Sequence, residues 1–204
     1  MEEIERIKEN LRESIHNRKA LLLFTGDKGS TLLINIIRGM NIHAVFIDTG
    51  LHFDEILAYR ETLTDKIEII KNHSAAPDSS VHMPDFCNRM KVELLTEYLS
   101  RHQGECLIVP FLDEDKKYGV EDSYLNGLKD VKIIRPLANV NERDVWIMIN
   151  ESNMPYSSIY NKGYKVVDCK CCTTRTGRKK PVKERSDIAF DKETVEKLKS
   201  LGYM

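Results

Sequence analysis

The sequence lacks any apolar run long enough to cross a bilayer, which excludes a helical membrane span. It also lacks an excess of either charge, because 31 lysines and arginines stand against 32 aspartates and glutamates, for a net charge of -1. Nothing in this overall balance favours binding to nucleic acid or to an anionic membrane. Internal repeats, low-complexity segments and domain linkers are absent too, so the chain does not read as an array of repeated units.

The sequence contains five cysteines, which is too few for a disulfide framework and an odd number, so the cysteines cannot all be paired. The acidic, amphipathic stretch 1–15 is unlike a signal peptide, and we therefore expect a cytoplasmic protein. In a reducing compartment, thiols stay free or bind metal. The cysteines are thus candidates for a metal site.

The 204 residues are enough for one α/β domain with a full core. Apolar strands alternate with helical segments, which predicts an α/β, doubly wound, mostly parallel five-stranded sheet with helices on both faces. The predicted strands cover residues 20–24, 43–47, 66–70, 106–110 and 131–134. We predict one domain over 1–165, with 166–204 as a cysteine-containing, basic C-terminal segment of the same domain.

Three further segments are assigned from composition. Residues 72–84 are predicted to form a long polar loop that carries His73 and His82. Residues 113–122 are predicted to be an exposed charged loop. The end of the chain, residues 192–201, is predicted to form a short helix.

The first predicted strand ends in a loop rich in small residues, which leads into an apolar helix. Backbone N–H groups at a helix start, with glycines that permit close approach, form an anion cradle. Lys28 adds a positive charge, and Ser30 or Thr31 can cap the helix. An ordinary strand-to-helix turn is the alternative. The candidate nucleotide-binding residues are Thr25, Gly26, Lys28, Gly29, Ser30 and Thr31.

The second predicted strand ends in Asp48-Thr49-Gly50. In an open parallel sheet, ligands bind beyond the carboxyl ends of the strands. Asp48 and Gly50 should therefore lie at the same edge as the glycine loop, where Asp48 could hold a ribose hydroxyl or a magnesium ion. The alternative is that Asp48 caps the next helix. Arg135 follows the fifth predicted strand, where it could meet an anion or remain solvated.

Four of the five cysteines are candidate metal ligands. Cys87 is predicted at the N-terminus of a helix, a position that lowers a thiol pKa. Cys169, Cys171 and Cys172 place three thiols within four residues, and the C-x-x-C spacing lets two of them bind one centre. A redox dithiol is the alternative. Cys106, inside a predicted strand, reads as a core residue.

Separate segments of the chain together resemble one known family. Thr25 to Ser30 is similar to an S-G-G-K-D-S loop in which Gly29 replaces the aspartate, and Asp48-Thr49-Gly50 with Phe53 and Glu55 matches D-T-G-x-x-F-x-E. The remaining matches are Pro136-Leu137, Asp144-Val145-Trp146, Tyr160 to Tyr164 and Cys169 to Thr173. The chain resembles the phosphoadenylylsulfate and adenylylsulfate reductases and the small subunit of sulfate adenylyltransferase, all members of the adenine nucleotide α-hydrolase-like superfamily.

The resemblance implies an oxidoreductase of sulfate assimilation that binds an adenine nucleotide sulfate ester and a 4Fe–4S cluster. Cys87, Cys169 and Cys172 match its ligands, Phe86 replaces one cysteine, and Cys171 could be the fourth ligand. Zinc bound by the same thiolates is the alternative. Lys91, which matches the family's K-V pair, and Arg135 would neutralise the sulfate.

Two departures from the family keep other functions open, one of which is that Phe111 and Leu112 stand where the family has paired arginines. The family's later E-C-G-L-H segment, whose cysteine attacks the sulfonyl sulfur, has no counterpart after Cys172. The electron-donating thiol would therefore be Cys171 or belong to a thioredoxin-type partner. The ending, residues 201–204, resembles the sulfate adenylyltransferase small subunit, which implies nucleotidyl transfer with a GTPase subunit. ATP-dependent tRNA thiolation, suggested by the basic segment 170–185, and a non-catalytic nucleotide- or metal-binding relative are further alternatives, and a homo-oligomer is left open.

Overall fold

The structure is a computed structural model that describes residues 2–63, 67–72, 83–102, 106–118, 125, 128, 131–175 and 177–178. His73, His82 and the predicted helix 192–201 lie outside the described residues. So do residues 179–185 of the basic segment.

Five strands form one sheet in the order β3-β2-β1-β4-β5, and every neighbouring pair is parallel. This confirms the predicted sheet. The strand order reverses between β1 and β4, which is where open α/β sheets bind their ligands. The strands are β1 Ala20–Leu23, β2 Ile42–Asp48, β3 Ile67–Lys71, β4 Cys106–Ile108 and β5 Lys132–Ile134.

The helices connect the strands, and within the described ranges none is long and apolar enough to cross a bilayer. Two 3-10 helices, Asp113–Tyr118 and Ser158–Lys162, and a two-stranded hairpin of β6 Thr173–Thr174 and β7 Gly177–Arg178 complete the described elements. The α-helices are α1 Glu2–Ile15, α2 Lys28–Ile36, α3 Asp54–Thr62, α4 Met83–His102 and α5 Glu142–Glu151.

Alternate residues of the central strand point to opposite faces of the sheet, as the pleat requires. Leu22 and Phe24 pack in a core that includes residues of α1, α2, α3 and α5. Leu21 and Leu23 pack in a second core with α4. Both faces of β1 are therefore buried, which explains its continuous apolar run.

Helix α4 begins at Met83, earlier than predicted. Pro84 lies in its first turn, where a missing N–H group costs no hydrogen bond. The prediction that Cys87 lies at the helix N-terminus is therefore wrong, because a full turn precedes it.

Candidate functional site

Four cysteines distant in sequence meet in one buried group. The Sγ atom of Cys87, on α4, lies 3.0 Å from that of Cys169, and Cys169 lies 3.2 Å from Cys171. Cys171 in turn lies 3.7 Å from Cys172. All four sulfur atoms lie within 4.8 Å of one another, so the group could hold a metal ion.

Backbone hydrogen bonds fix the loop that carries three of these sulfurs. The N–H groups of Cys172 and Thr173 both donate to the carbonyl of Cys169, at 3.0 and 3.1 Å. The N–H group of Lys170 donates to the carbonyl of Leu51 at 2.7 Å. Because Leu51 comes shortly after β2, this bond places the cysteines at the carboxyl edge of the sheet.

Burial and mutual hydrogen bonding shape the acidity of the thiols. Cys87, Cys169 and Cys172 are fully buried, whereas Cys171 is half-buried. Hydrogen bonds among the sulfurs lower the pKa of Cys169 to about 6 and that of Cys172 well below its ordinary value. The contact with Cys169 raises the pKa of Cys87 and Cys171. The sequence-based expectation of an acidic Cys87 thiol is thus wrong in this structure, and two other sulfurs in the group favour the thiolate form that binds metals.

A buried ion pair lies beside the four cysteines. Lys91 follows Cys87 by one turn of α4, and its ammonium bonds the carboxylate of Asp168, the residue before Cys169. Both side chains are essentially inaccessible to solvent. The positive charge of Lys91 also acts on the thiol of Cys87, whose pKa it lowers against the stronger effect of the Cys169 contact.

His52 packs on the same side of the sheet edge. Its Nε2 atom lies 2.8 Å from the carbonyl of Ile47, and its ring centroid lies 4.7 Å from that of Phe46. Burial lowers the pKa of His52, and the charge of Lys91 lowers it further. The imidazole is therefore held neutral beside the lysine.

The fifth thiol is separate from this group. Cys106 is fully buried in β4, where its backbone pairs with Ala20 of β1 and Lys132 of β5. It is a core residue, as predicted.

The N-terminus of α2 is capped by Asp27. The N–H group of Ser30 donates to Oδ1 of Asp27 at 2.7 Å, and the hydroxyl of Ser30 donates to the Asp27 carbonyl at 3.1 Å. The prediction that Ser30 or Thr31 caps the helix is therefore wrong. Asp27 is buried, and this burial raises its carboxyl pKa to about 6.

Lys28 is also held by protein groups. Its N–H group donates to the hydroxyl of Tyr160 at 2.7 Å, and its ammonium donates to the carbonyl of Lys165 at 3.1 Å. The ammonium lies 3.5 Å from a carboxylate oxygen of Glu142 and 3.8 Å from one of Asp115. The side chain of Lys28 is 4% exposed.

The prediction that residues 113–122 form an exposed loop is wrong for Asp115, which is buried. Its Oδ2 atom accepts a hydrogen bond from the N–H group of Leu112 at 3.1 Å. Burial raises the pKa of this carboxyl, and the neighbouring charge of Lys28 opposes that rise.

The two loop glycines accommodate protein atoms. Gly26 has a φ of +78°, and a Cβ there would lie 2.7 Å from Cγ2 of Ile56. A Cβ on Gly29 would lie 2.1 Å from the carbonyl oxygen of Pro110, which follows β4. Gly29 therefore lets the start of α2 pack directly on the backbone at the point where the strand order reverses.

The other predicted site residues lie around this edge. Thr25 and Thr31 bury hydroxyl oxygens that have no hydrogen-bond partner among the described residues. Asp48 accepts a hydrogen bond from the N–H group of Gly50 at 3.0 Å, and Gly50 is exposed.

Arg135 is exposed directly after β5, the edge strand of the sheet. Three strand spacings separate β5 from β2, or about 14 Å. A role of Arg135 in binding the sulfate stays a prediction.

One segment, residues 160–172, connects the α2 N-terminus with the cysteines. The Tyr160 hydroxyl and the Lys165 carbonyl contact Lys28, and Asp168 contacts Lys91 three residues later. Sequence reasoning assigned no role to Asp27, Tyr160 or Asp168. Asp27 carries a local signal, since aspartate before a helix is a preferred N-cap residue, and Tyr160 begins the segment 160–164 that resembles the family.

A cavity of about 380 Å³ opens at the opposite, amino edge of the sheet. Its lining includes Arg18, Lys19, His43 and Tyr98, and none of the predicted site residues. It is therefore separate from the cysteine group and the α2 N-terminus.

Comparison with known proteins agrees with this arrangement. The family model for the phosphoadenosine phosphosulfate reductase domain matches residues 19–175. Adenosine 5'-phosphosulfate reductase 2 of Bacillus subtilis is 28% identical over 166 residues, covering 72% of this chain and 69% of that protein.

Two solved structures share the fold. A phosphoadenylyl-sulfate reductase of Candida auris has a TM-score of 0.67 at 17% identity, covering 82% of this chain and 90% of that one. An NH3-dependent NAD synthetase of Campylobacter jejuni has a TM-score of 0.59 at 16% identity, covering 98% and 91%. These neighbours confirm the adenine nucleotide α-hydrolase-like fold. Since the family model spans most of the chain and contains all four clustered cysteines, this protein belongs to the phosphoadenosine phosphosulfate reductase domain family.

Proposed function

We propose that this protein is a reductase-like enzyme that acts on adenylylsulfate or phosphoadenylylsulfate with the help of an iron–sulfur centre. The observation that carries the proposal is the convergence of Cys87, Cys169, Cys171 and Cys172 at the carboxyl edge of the sheet. This edge is where open α/β sheets bind ligands. The named activity of the Bacillus subtilis relative supports the choice of substrate.

The donor set fits a metal centre bound by thiolates. Among the described residues the group contains four sulfurs, and Asn88 reaches one of them only at 4.0 Å. Four thiolates suit both a 4Fe–4S cluster and structural zinc. Zinc–sulfur bonds of about 2.3 Å in a tetrahedron place sulfurs about 3.8 Å apart, whereas the sulfur pairs here range from 3.0 Å upwards and all lie within 4.8 Å. Zinc is therefore the second candidate, and the family resemblance favours the cluster.

With all four clustered thiols bound to the metal centre, none of them is left to donate the electrons that reduce the sulfate, so another group must supply them. Cys106 is fully buried in β4, and it is the one cysteine of the sequence outside the group. We therefore propose a dithiol partner of the thioredoxin type. One of its thiolates attacks the sulfate sulfur, the bond from that sulfur to the bridging oxygen breaks, and AMP leaves. The second thiolate then displaces sulfite, the partner becomes a disulfide, and the thiol protons pass to solvent.

The protein's own charges would act around this step. Lys91 supplies a buried positive charge beside the sulfurs, which stabilises negative charge there, and Asp168 holds its ammonium in place. A metal centre, when bound, would supply further electrostatic stabilisation of the sulfate. We propose that the nucleotide binds along the same edge, near Asp48 and Gly50.

Turnover by protein purified without oxygen tests the proposal. With adenylylsulfate and a reduced dithiol protein, we expect equal amounts of AMP and sulfite. The Cys87→Ser variant should lose both products, whereas Cys106→Ala, which removes the thiol outside the group, should retain them. Pyrophosphate release from ATP and sulfate in place of sulfite formation would contradict the proposal and favour nucleotidyl transfer.

A further inference from the structure

Residues 25–31, which lead from β1 into the first turn of α2, have the outline of a phosphate-binding loop, yet protein groups lie where the anion would bind. The carboxylate of Asp27 accepts the N–H group of Ser30 at the N-terminus of α2. This helix end carries partial positive charge, and in phosphate-binding loops it faces the ligand. Asp27 has the extended backbone of an N-cap residue, with φ −81° and ψ 177°, and an uncharged serine or asparagine would cap the helix about equally well at this position.

The donors of Lys28 are engaged as well, whereas the hydroxyls of Thr25 and Thr31 have no partner among the described residues. The N–H group of Lys28 meets the Tyr160 hydroxyl, and its ammonium meets the Lys165 carbonyl. The space that the glycines leave open is taken by Ile56 and Pro110. A phosphate that entered this loop would have to displace protein groups from three positions.

The charges around the loop also oppose a polyphosphate. Carboxylate oxygens of Glu142 and Asp115 lie 3.5 and 3.8 Å from the ammonium of Lys28, and the charge of Lys28 also acts on Asp27. Asp27 and Asp115 are buried, where like charges repel more strongly than in water. Each added phosphate would bring further negative charge to these three carboxylates, which the described residues balance here with the ammonium of Lys28.

We propose that Asp27 is a specificity-determining residue, whose carboxylate occupies the α2 N-terminus and excludes pyrophosphate and the terminal phosphates of nucleoside triphosphates. The proposal deepens the proposed function and rests on it for the adenine nucleotide as ligand. It restricts that ligand to a nucleotide with one phosphoryl group at the 5′ position, such as a sulfate ester of AMP. The same fold would then serve reduction and not ATP-dependent transfer.

Titration calorimetry with pyrophosphate and with ATP, each with and without Mg²⁺, tests this proposal on the full chain. The wild-type protein should bind neither ligand below millimolar concentration. Asp27→Ser removes the charge and retains a good N-cap residue, and we expect it to bind pyrophosphate at least about tenfold more tightly. Asp27→Asn, which removes only the charge, should gain less. Glu142→Gln is the matched control, because it removes an acid 3.5 Å from Lys28 without vacating the helix end.

The outcomes separate the two proposals. Equal affinities of Asp27→Ser and Glu142→Gln for pyrophosphate would overturn the role of Asp27. Tight binding of Mg²⁺-pyrophosphate to the wild-type protein, lost in Asp27→Ser, would also overturn it, since Asp27 would then be a metal ligand. Failure to turn over adenylylsulfate, combined with a gain of pyrophosphate binding in Asp27→Ser, would reject the reductase and leave the role of Asp27 intact.

Discussion

The Sγ atoms of Cys87 and Cys169 lie 3.0 Å apart, although 82 positions separate the two residues in the chain. Helix α4 carries the first sulfur, and the Lys170–Leu51 backbone bond holds the loop of the second against the end of β2. The neighbouring Lys91–Asp168 pair joins the same two segments. The candidate metal centre is therefore built where α4 and the loop 168–172 meet.

Removing one charge of the Lys91–Asp168 pair should destabilise the protein more than removing both. Asp168→Asn leaves a buried ammonium without its carboxylate, and we expect a loss of about 3–5 kcal/mol in the free energy of unfolding. Lys91→Met combined with Asp168→Asn removes both charges and should lose less. Urea unfolding of the two variants measures the difference. Equal destabilisation of the single and double variants would contradict a buried, mutually compensated pair.

Asp27 should make stability depend on pH. Its pKa is raised from 3.8 to about 6 in the folded chain, so the unfolded chain loses the proton first as the pH rises. Stability is therefore lost between about pH 4 and pH 6, by about 3 kcal/mol in all. Asp27→Asn cannot ionise at this position, so this variant should not show the loss of stability that Asp27 causes between about pH 4 and pH 6. Relative to wild type, the variant should gain stability from pH 4 to pH 8 in urea unfolding, and a constant difference would refute the prediction.

Gly29 should tolerate no side chain. A Cβ at this position meets the Pro110 carbonyl oxygen at 2.1 Å, so Gly29→Ala should destabilise the protein by about 1–3 kcal/mol. Gly39→Ala is the control, since a Cβ there has no atom within 4 Å and only the positive φ opposes it. Thermal unfolding of both variants gives the comparison. An increase in stability for Gly29→Ala, as helix propensity alone would give, would contradict the close packing.

We propose that Cys171 is a fourth ligand of the metal centre and not the electron-donating thiol. Cys171→Ser should therefore change the metal content or the visible spectrum of the protein together with any activity. A variant that keeps the wild-type metal content and spectrum and loses only turnover would instead make Cys171 the reacting thiol. Cys171 is half-buried whereas the other three sulfurs are buried, so it is the residue of the group for which the roles of ligand and reacting thiol most need to be distinguished.

Local sequence patterns were sufficient to predict the sheet and the cysteine group. The apolar runs predicted all five strands, and C-x-x-C with the family's K-V pair indicated the cysteines that cluster in the structure. The start of α4 was missed because Pro84 was read as a loop residue and not as a first-turn residue. The prediction for Asp115 failed because its partner Lys28 lies far away in the sequence.

The long-range contacts at the α2 N-terminus and beside the cysteines could not be predicted for the same reason. Tyr160 reaches Lys28 across 132 positions, and Lys91 reaches Asp168 across 77. No spacing rule connects such pairs. The Asp27 cap was the exception, since aspartate before a helix is a local signal, but the glycines and lysine around it favoured a bound phosphate.

Metal analysis of the protein purified without oxygen tests the central claim most directly. We expect about four irons and about four acid-labile sulfides per chain, with broad visible absorbance, and we expect Cys87→Ser to lose them while Cys106→Ala keeps them. A colourless protein with neither iron nor zinc, or a metal content that Cys87→Ser leaves unchanged, would show that these four sulfurs do not form a metal centre.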